Sequence, residues 1–383
     1  MTAANFSSEI IYADNAATTP IDADALALMV ELQKKFFANP SAAYSLSRQL
    51  RKILQDSREK IAACINAEPY EIFFTSGGTE SDNWAIKSVA LANLSERPDI
   101  VTSAVEHKAV LNSCAALKNL GCTVNKLPVD YNGTVSFDAL RKKITRRTKI
   151  VSIMLANNEV GTIQPVKALA EIAHDKRKIF HTDAVQAVGH IPVDVENLGV
   201  DMLSASAHKF NGPKGVGFLY VREGLRILPY IDGGDQEFSK RAGTENVPAI
   251  AAMALALEKN CRVMRKTAAK LSSCAKTLID CLRNSGADFI VNGGENRLPG
   301  HLSLSFRNCD GETLMHRLDL KNICVATGSA CNSRRTEISH VLKALKVPKE
   351  YIRGTIRVTF GKDNSVSEAE TVGKILSEII SGK

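Results

Sequence analysis

The sequence has no stretch approaching the roughly 20 consecutive apolar residues that a membrane-spanning helix needs, so a helical membrane protein is not expected. Residues 1–8 lack the basic-then-apolar layout of an export signal, and a cytoplasmic location is the expectation. There is no Cys-x-x-Cys pair. The nine cysteines are an odd number scattered from Cys64 to Cys331, which argues against a disulfide framework or a structural zinc site and fits a reducing compartment. No metal site is expected. Acidic residues are in slight deficit: 49 basic against 41 acidic residues give a formal net charge of +8. That balance favours acidic partners but is modest for so long a chain, so it reads as a solvated basic face, and direct nucleic-acid binding is not expected. Internal repeats and low-complexity segments are also missing.

What is present is ordinary globular composition: 383 residues, 44% hydrophobic and 23% charged, enough for a large core and two domains. Cys64, Cys114, Cys274 and Cys281 lie in helix-like stretches among Ala, Leu and Ile, and read as small core residues. From about residue 70 to 220, short β-branched runs (71–75, 100–105, 150–155, 179–182, 202–205 and 216–221) alternate with amphipathic stretches such as 108–120 and 166–176. Strands alternating with helices predict βαβ units and a largely parallel sheet whose strand-end loops can hold ligands. The last run follows Gly212-Pro-Lys-Gly215 so closely that one strand is expected to pair antiparallel. From Pro248 to about Asn284 no further proline interrupts an Ala-, Leu- and Lys-rich stretch, which predicts one or two long helices. Beyond it, strands at 302–306, 323–326 and 355–360 alternate with helices at 312–320, 339–345 and 367–380, a smaller α+β unit.

Three segments carry candidate chemistry. In Phe74-Thr-Ser-Gly-Gly-Thr-Glu-Ser-Asp82 an apolar strand runs into two glycines and then a helix. The glycines admit close approach to backbone amides, and a helix start offers unpaired N–H groups, so Gly78 and Thr79 could cup a phosphate. The segment reads equally well as a tight turn with Thr79 as N-cap. In Ile179-Phe-His-Thr-Asp-Ala-Val-Gln186, Asp183 ends an apolar strand, where a carboxylate is costly unless it meets a cation; alone, it would more often be a helix cap. In Ser204-Ala-Ser-Ala-His-Lys-Phe-Asn-Gly-Pro-Lys-Gly215, Lys209 follows an apolar strand and can lose its proton by desolvation, the condition for imine formation; a single lysine more often snorkels at the surface. Together, a phosphate cup, a strand-end carboxylate and a desolvated lysine are the three contacts that pyridoxal 5'-phosphate needs.

The blocks Tyr12-Ala-Asp-Asn-Ala-Ala-Thr-Thr-Pro20, Thr75 to Asn83, Glu106-His107-Lys108, Asn157-Asn-Glu-Val-Gly161, His181 to Gln186, Ser206 to Gly215, Arg241-Ala-Gly-Thr-Glu-Asn246 and Gly328-Ser-Ala-Cys331 resemble, in order and spacing, the group I cysteine desulfurases of the NifS/IscS-like family. The resemblance implies an α/β, aminotransferase-like (fold type I) enzyme: a mostly parallel seven-stranded sheet with helices on both faces, plus a smaller α+β domain. It places a large cofactor-binding domain at 15–258 and a small domain at 1–14 and 259–383. It further implies that Lys209 carries the imine to the cofactor, Asp183 pairs with the ring nitrogen, Gln186 lies against the phenolate oxygen and His107 stacks on the ring. Gly78, Thr79, Ser206 and His208 would hold the phosphate, with Thr244 reaching over from the other subunit of a homodimer. Asn158, which also borders the cofactor, Arg357 and Asn39 would bind substrate.

Cys331 sits in a small, polar run beside Arg334 and Arg335, and nearby positive charge favours a thiolate. By resemblance it is the catalytic nucleophile: L-cysteine becomes L-alanine, and its sulfur ends on Cys331 as a persulfide for an acceptor protein, with His107 carrying a proton to the substrate thiol. The chain departs from its relatives in three places. Asn39-Pro-Ser-Ala-Ala-Tyr44, with Ser47 following, stands where they carry Asn-Pro-Ser-Ser-x-His and then glycine; Arg334-Arg335 replaces smaller residues; and the sequence ends at Lys383 soon after the last helix. That end raises, beside an iron-sulfur scaffold, acceptors for tRNA thiolation or DNA phosphorothioation. The competing readings are an aminotransferase or selenocysteine lyase without an obligatory persulfide, and a non-catalytic partner keeping only the fold.

Overall fold

The computed structural model describes residues 10–327 and 338–382. Its strands, in chain order, are β1 (Ile11–Tyr12), β2 (Ile72–Thr75), β3 (Asp99–Ser103), β4 (Thr123–Leu127), β5 (Thr148–Ser152), β6 (Ile179–Asp183), β7 (Met202–Ser206), β8 (Gly217–Val221), β9 (Phe289–Val291), β10 (His301–Phe306), β11 (Ile323–Cys324), β12 (Ala326–Thr327) and β13 (Thr355–Thr359).

Seven of them form one sheet in the order β2-β8-β7-β6-β5-β3-β4. β3 to β7 run parallel, and β8 pairs antiparallel with both β2 and β7, in keeping with the short glycine turn before it. Every residue of β2, β3, β7 and β8 is buried, as expected of strands covered on both faces by helices. β4 is the exception. It lies at the sheet edge with mostly exposed or half-buried side chains, and Thr123-Val-Asn-Lys-Leu127 offers no apolar run to announce it. The chain passes from β3 to β4 on one side and then to β5 on the other. The strand order thus switches at β3/β5, the place where open parallel sheets leave a crevice at their carboxyl ends.

The second sheet, β12-β13-β10-β9, is antiparallel. Its core (Leu302, Leu304, Phe306, Ile356, Val358) is closed by Val372 and Leu376 of the helix Val366–Ser381. The expected single strand at 323–326 is two short ones, β11 and β12, that join different sheets. One helix, Val247–Asn284, serves both cores: Ile250, Met253 and Leu257 pack under the large sheet, and Leu271, Cys274, Leu278 and Leu282 under the small one. Its continuity follows from the sequence, because Pro248 sits in the first turn and neither proline nor glycine occurs after it.

The amino-terminal segment stitches the two units. β1 pairs with β11, Asp14 bridges to Thr359, and the Thr19 amide donates to the His208 carbonyl at 2.9 Å. All eight described cysteines are free. Cys114 and Cys274 are fully buried, whereas Cys64 and Cys281 are only half-buried at helix surfaces. Among the described residues no helix is long and apolar enough to cross a membrane.

Candidate functional site

At the carboxyl ends of β3, β5, β6 and β7 lies a cavity of about 520 Å³, a size suited to a small organic ligand. Ten of the residues singled out from the sequence line it: Gly78, Thr79, His107, Asn158, Asp183, Gln186, Ser206, His208, Lys209 and Arg357.

The turn after β2 shapes one end. Gly77 has φ 145°, a backbone geometry that side chains rarely adopt, and a Cβ on Gly78 would stand 2.4 Å from Val185 Cγ2. The helix Gly78–Ala92 therefore begins at Gly78 with Gly77 as N-cap, and Thr79 lies inside the first turn rather than capping it. Among the described residues no side chain caps this end, so its first N–H groups and the positive end of the helix dipole are open to an anion. Ser206, ending β7, brings its Oγ to 3.3 Å from where a Gly77 Cβ would be. Glu80 of the same turn accepts from the Arg241 guanidinium at 2.9 Å and from the Ser76 amide, tying the segment that carries Thr244 to the helix.

The middle of the cavity is electrostatic. Asp183 ends β6, buried, with one carboxylate oxygen accepting from the Val185 amide at 2.9 Å. Burial pushes its carboxyl above the usual range, while His107, the Val185 N–H and Lys209 pull it back. Lys209 Nζ donates to the carbonyls of Ala16 and Ala17 at 2.7 and 2.8 Å, so the amino-terminal segment aims the amine. Gln186 Nε2 donates to the same Ala16 carbonyl at 2.9 Å. His107 is the N-cap of the helix Lys108–Lys118, and its Nδ1 accepts from the Ala109 amide at 3.1 Å. Burial lowers its pKa, so the neutral ring carries its one proton on Nε2. Burial and the neighbouring Lys209 lower His208 to about 4; its Nδ1 lies 3.2 Å from Thr18 Oγ1.

The far end is built by Arg357 of β13, 5% exposed, which donates to the Asn158 carbonyl at 2.8 Å and to Asp14 at 2.7 Å. Its Nε is buried with no hydrogen-bond partner among the described residues. An unpaired guanidinium N–H beside a cavity suits an incoming carboxylate.

These groups fit pyridoxal phosphate. The uncapped helix start suits its phosphate, the desolvated Asp183 suits a protonated ring nitrogen, and Lys209 Nζ lies within the same cavity. Two expected residues are elsewhere. Asn39 is exposed, its carboxamide oxygen accepting from the Ser41 amide at 2.9 Å, and Thr244 is exposed outside the cavity. Tyr44 is also exposed, as the residue preceding the helix Ser45–Ile65, and Ser47 Oγ donates to the Asn39 carbonyl. Cys331, Arg334 and Arg335 lie outside the described residues. Sequence reasoning gave no role to Asp82, Glu159 or Ser339, all of which line the cavity. Glu159 is pushed up to about 7 by burial and accepts from Ser339 Oγ. Its place in Asn157-Asn-Glu-Val-Gly161, beside Asn158, was the available signal.

The family model Aminotransferase class-V matches residues 11–372. The cysteine desulfurase IscS of Methanosarcina thermophila is 43% identical, the match covering 97% of this chain and 92% of that protein. The protein of the same name from Dictyoglomus turgidum is 46% identical over 97% and 94% of the two chains. The solved structure of a NifS-like protein superimposes with a TM-score of 0.92 at 39% identity, covering 98% of this chain and all of the other.

Proposed function

From the premise that this chain belongs to the aminotransferase class-V family, we propose that it is a pyridoxal-phosphate-dependent cysteine desulfurase, converting L-cysteine to L-alanine and passing the sulfur to an acceptor protein. The observation that carries this reading is the convergence of an uncapped helix start, a buried strand-end carboxylate and Lys209 on one cavity. When bound, the cofactor supplies an electron sink that weakens bonds at the Cα and Cβ of an attached amino acid.

The chain's own residues have the following proposed roles. Gly78, Thr79, Ser206 and His208 hold the phosphate, whose negative charge favours a protonated His208 against the burial that lowers it. Asp183 faces the ring nitrogen, Gln186 the ring oxygen, and the His107 imidazole lies against the ring. Arg357 takes the substrate carboxylate through Nε, with Asn158 beside it. Lys209 is the covalent attachment point and, once displaced by substrate, moves the Cα proton; the carbonyls of Ala16 and Ala17 keep its Nζ in reach. His107 can pass its Nε2 proton to the departing side of the substrate.

Cys331 is the proposed sulfur acceptor. Its thiolate forms a sulfur–sulfur bond as the substrate Cβ–S bond breaks, and the bonding pair stays with carbon. Residues 15–258 and the pair 1–14 with 259–383 are the proposed domains. A homodimer is proposed in which Thr244, exposed here, meets the phosphate of the partner subunit, and Asn39 is proposed to meet substrate only after its loop moves inward. The acceptor is proposed to be a protein of iron-sulfur assembly, of tRNA thiolation or of DNA phosphorothioation. Lys209→Ala tests the core of this reading. The purified variant should lack the visible imine band and exchange no Cα proton of L-cysteine with solvent; a variant keeping both would remove Lys209 from its role.

A further inference from the structure

One turn into the helix Gly78–Ala92, Asp82 is 1% exposed, lines the cavity, and has one carboxyl oxygen, Oδ1, with no hydrogen-bond partner among the described residues. That oxygen lies 3.7 Å from His181 Nε2. His181 on β6 is itself fully buried between Ser152 Oγ at 2.8 Å and Ser204 Oγ at 3.0 Å. The ionisable atoms of Asp82, His107 and Asp183 all lie within 4.8 Å of one another. Two carboxylates this close and this deeply buried cannot both ionise without two cations to match them.

The surroundings decide which of them keeps a proton. Asp183 accepts the Val185 N–H and has Lys209 as its cation, with the neutral His107 ring beside it. Asp82 meets the hydroxyl of Ser204, the carboxyls of Asp183 and Glu106, and the His181 ring, which burial lowers to about 3 and so keeps neutral. No cation faces it among these groups. We propose that Asp82 is a positioning residue acting through Asp183: a buried carboxylic acid that stays protonated, so that the pair presents a single negative charge to the ring nitrogen. Its neutral carboxyl fills polar space beside Asp183, and the Asp183 charge is left undiluted for the pyridinium.

The inference rests on the cofactor reading for one of its two readouts only. The first readout is carbon-13 NMR of the apo-protein labelled at aspartate carboxyls, at pH 8. One aspartate should show the shift of a neutral acid, and Asp82→Asn should remove that signal. If no neutral aspartate is found the proposal is overturned whether or not the variant folds, and a signal that survives in Asp82→Asn, or that is removed by Asp183→Asn and not by Asp82→Asn, overturns it as well. The second readout is reconstitution with cofactor labelled with nitrogen-15 in its ring. Wild type and Asp82→Asn should both hold a protonated ring nitrogen with dissociation constants within about threefold, whereas Asp82→Ala should bind about tenfold more weakly. An Asn variant that loses the ring proton, or an Ala variant indistinguishable from wild type, contradicts the proposal. A wild-type protein that takes up no cofactor would instead remove the reading of the cavity, leaving the carboxyl signal to settle the proton on Asp82.

Discussion

At the scale of single residues, the site is a set of buried charges given few but definite partners. Arg357 is the clearest case. Two of its nitrogens are committed, to Asn158 and Asp14, which fixes the guanidinium plane, and Nε has no partner among the described residues, the position proposed for the substrate carboxylate. Arg357→Lys keeps the charge but loses the planar fork, so KM for L-cysteine should rise by about tenfold or more while kcat falls less. Steady-state kinetics measure this; an unchanged KM would place the substrate carboxylate elsewhere. Strand-end residues such as Asp183, Ser206 and Lys209 were legible in the sequence because a polar group directly after a buried apolar run needs a partner or a ligand to offset its desolvation. Asp82 was not. An acid inside a helix with polar neighbours reads as solvent-facing, and only packing against β6 and β7 reveals that it is buried. Asn39 and Thr244 were named through resemblance alone, and both are exposed outside the cavity.

At the scale of elements, the fold places these residues by ending its strands at the crevice and starting a helix there. The close fit of the turn after β2 is the sensitive point. A methyl group at Gly78 would stand 2.4 Å from Val185 Cγ2, and Val185 neighbours both Asp183 and Gln186. Gly78→Ala should therefore push the phosphate-binding turn away from β6 and weaken cofactor binding by at least about tenfold, with little loss of secondary structure. Equilibrium binding of the cofactor followed by its visible absorption would measure this, and wild-type affinity would mean that the turn has room to give. The strands of the large sheet that the sequence foretold are those buried on both faces. β4 escaped because it is an exposed edge strand, and β9 because Phe289-Ile-Val291 is three residues long and half-buried. The long helix was visible by what it lacks, a proline or glycine after its first turn.

At the scale of the whole molecule, the buried acids and histidines make stability depend on pH. Glu106 is fully buried, receives Ser103 Oγ and the Met154 amide, and is raised from 4.5 to about 8 chiefly by burial. It is protonated in the fold and ionised in the unfolded chain over that interval, so its contribution is complete below pH 4.5 and is lost as pH rises toward 8. His181 acts oppositely: lowered from 6.5 to about 3, it contributes above pH 6.5 and loses that contribution as pH falls. Between pH 6.5 and 8 the slope of Glu106 stands without that of His181, and apo-protein stability should fall. Denaturant unfolding should show this decline, to which Glu106 and a protonated Asp82 each add up to about 1.4 kcal/mol per pH unit, and Glu106→Gln should reduce the slope by one proton's share. An equal slope in the variant would assign the proton to another group.

The two cores, joined by one helix and stitched by the amino-terminal segment, set Arg357 of the small sheet against Asp183 and Lys209 of the large one across a single cavity. The central claim is that this cavity draws sulfur out of L-cysteine and hands it to the chain's own thiol. Incubating the cofactor-loaded protein with sulfur-labelled L-cysteine, and mapping the label by peptide mass spectrometry without reductant, tests it most directly. The peptide containing Cys331 should gain one labelled sulfur atom as alanine appears in equal amount, and Cys331→Ala should gain none while still binding L-cysteine. Label on a different cysteine, or alanine formed at the wild-type rate by the variant, would contradict the account.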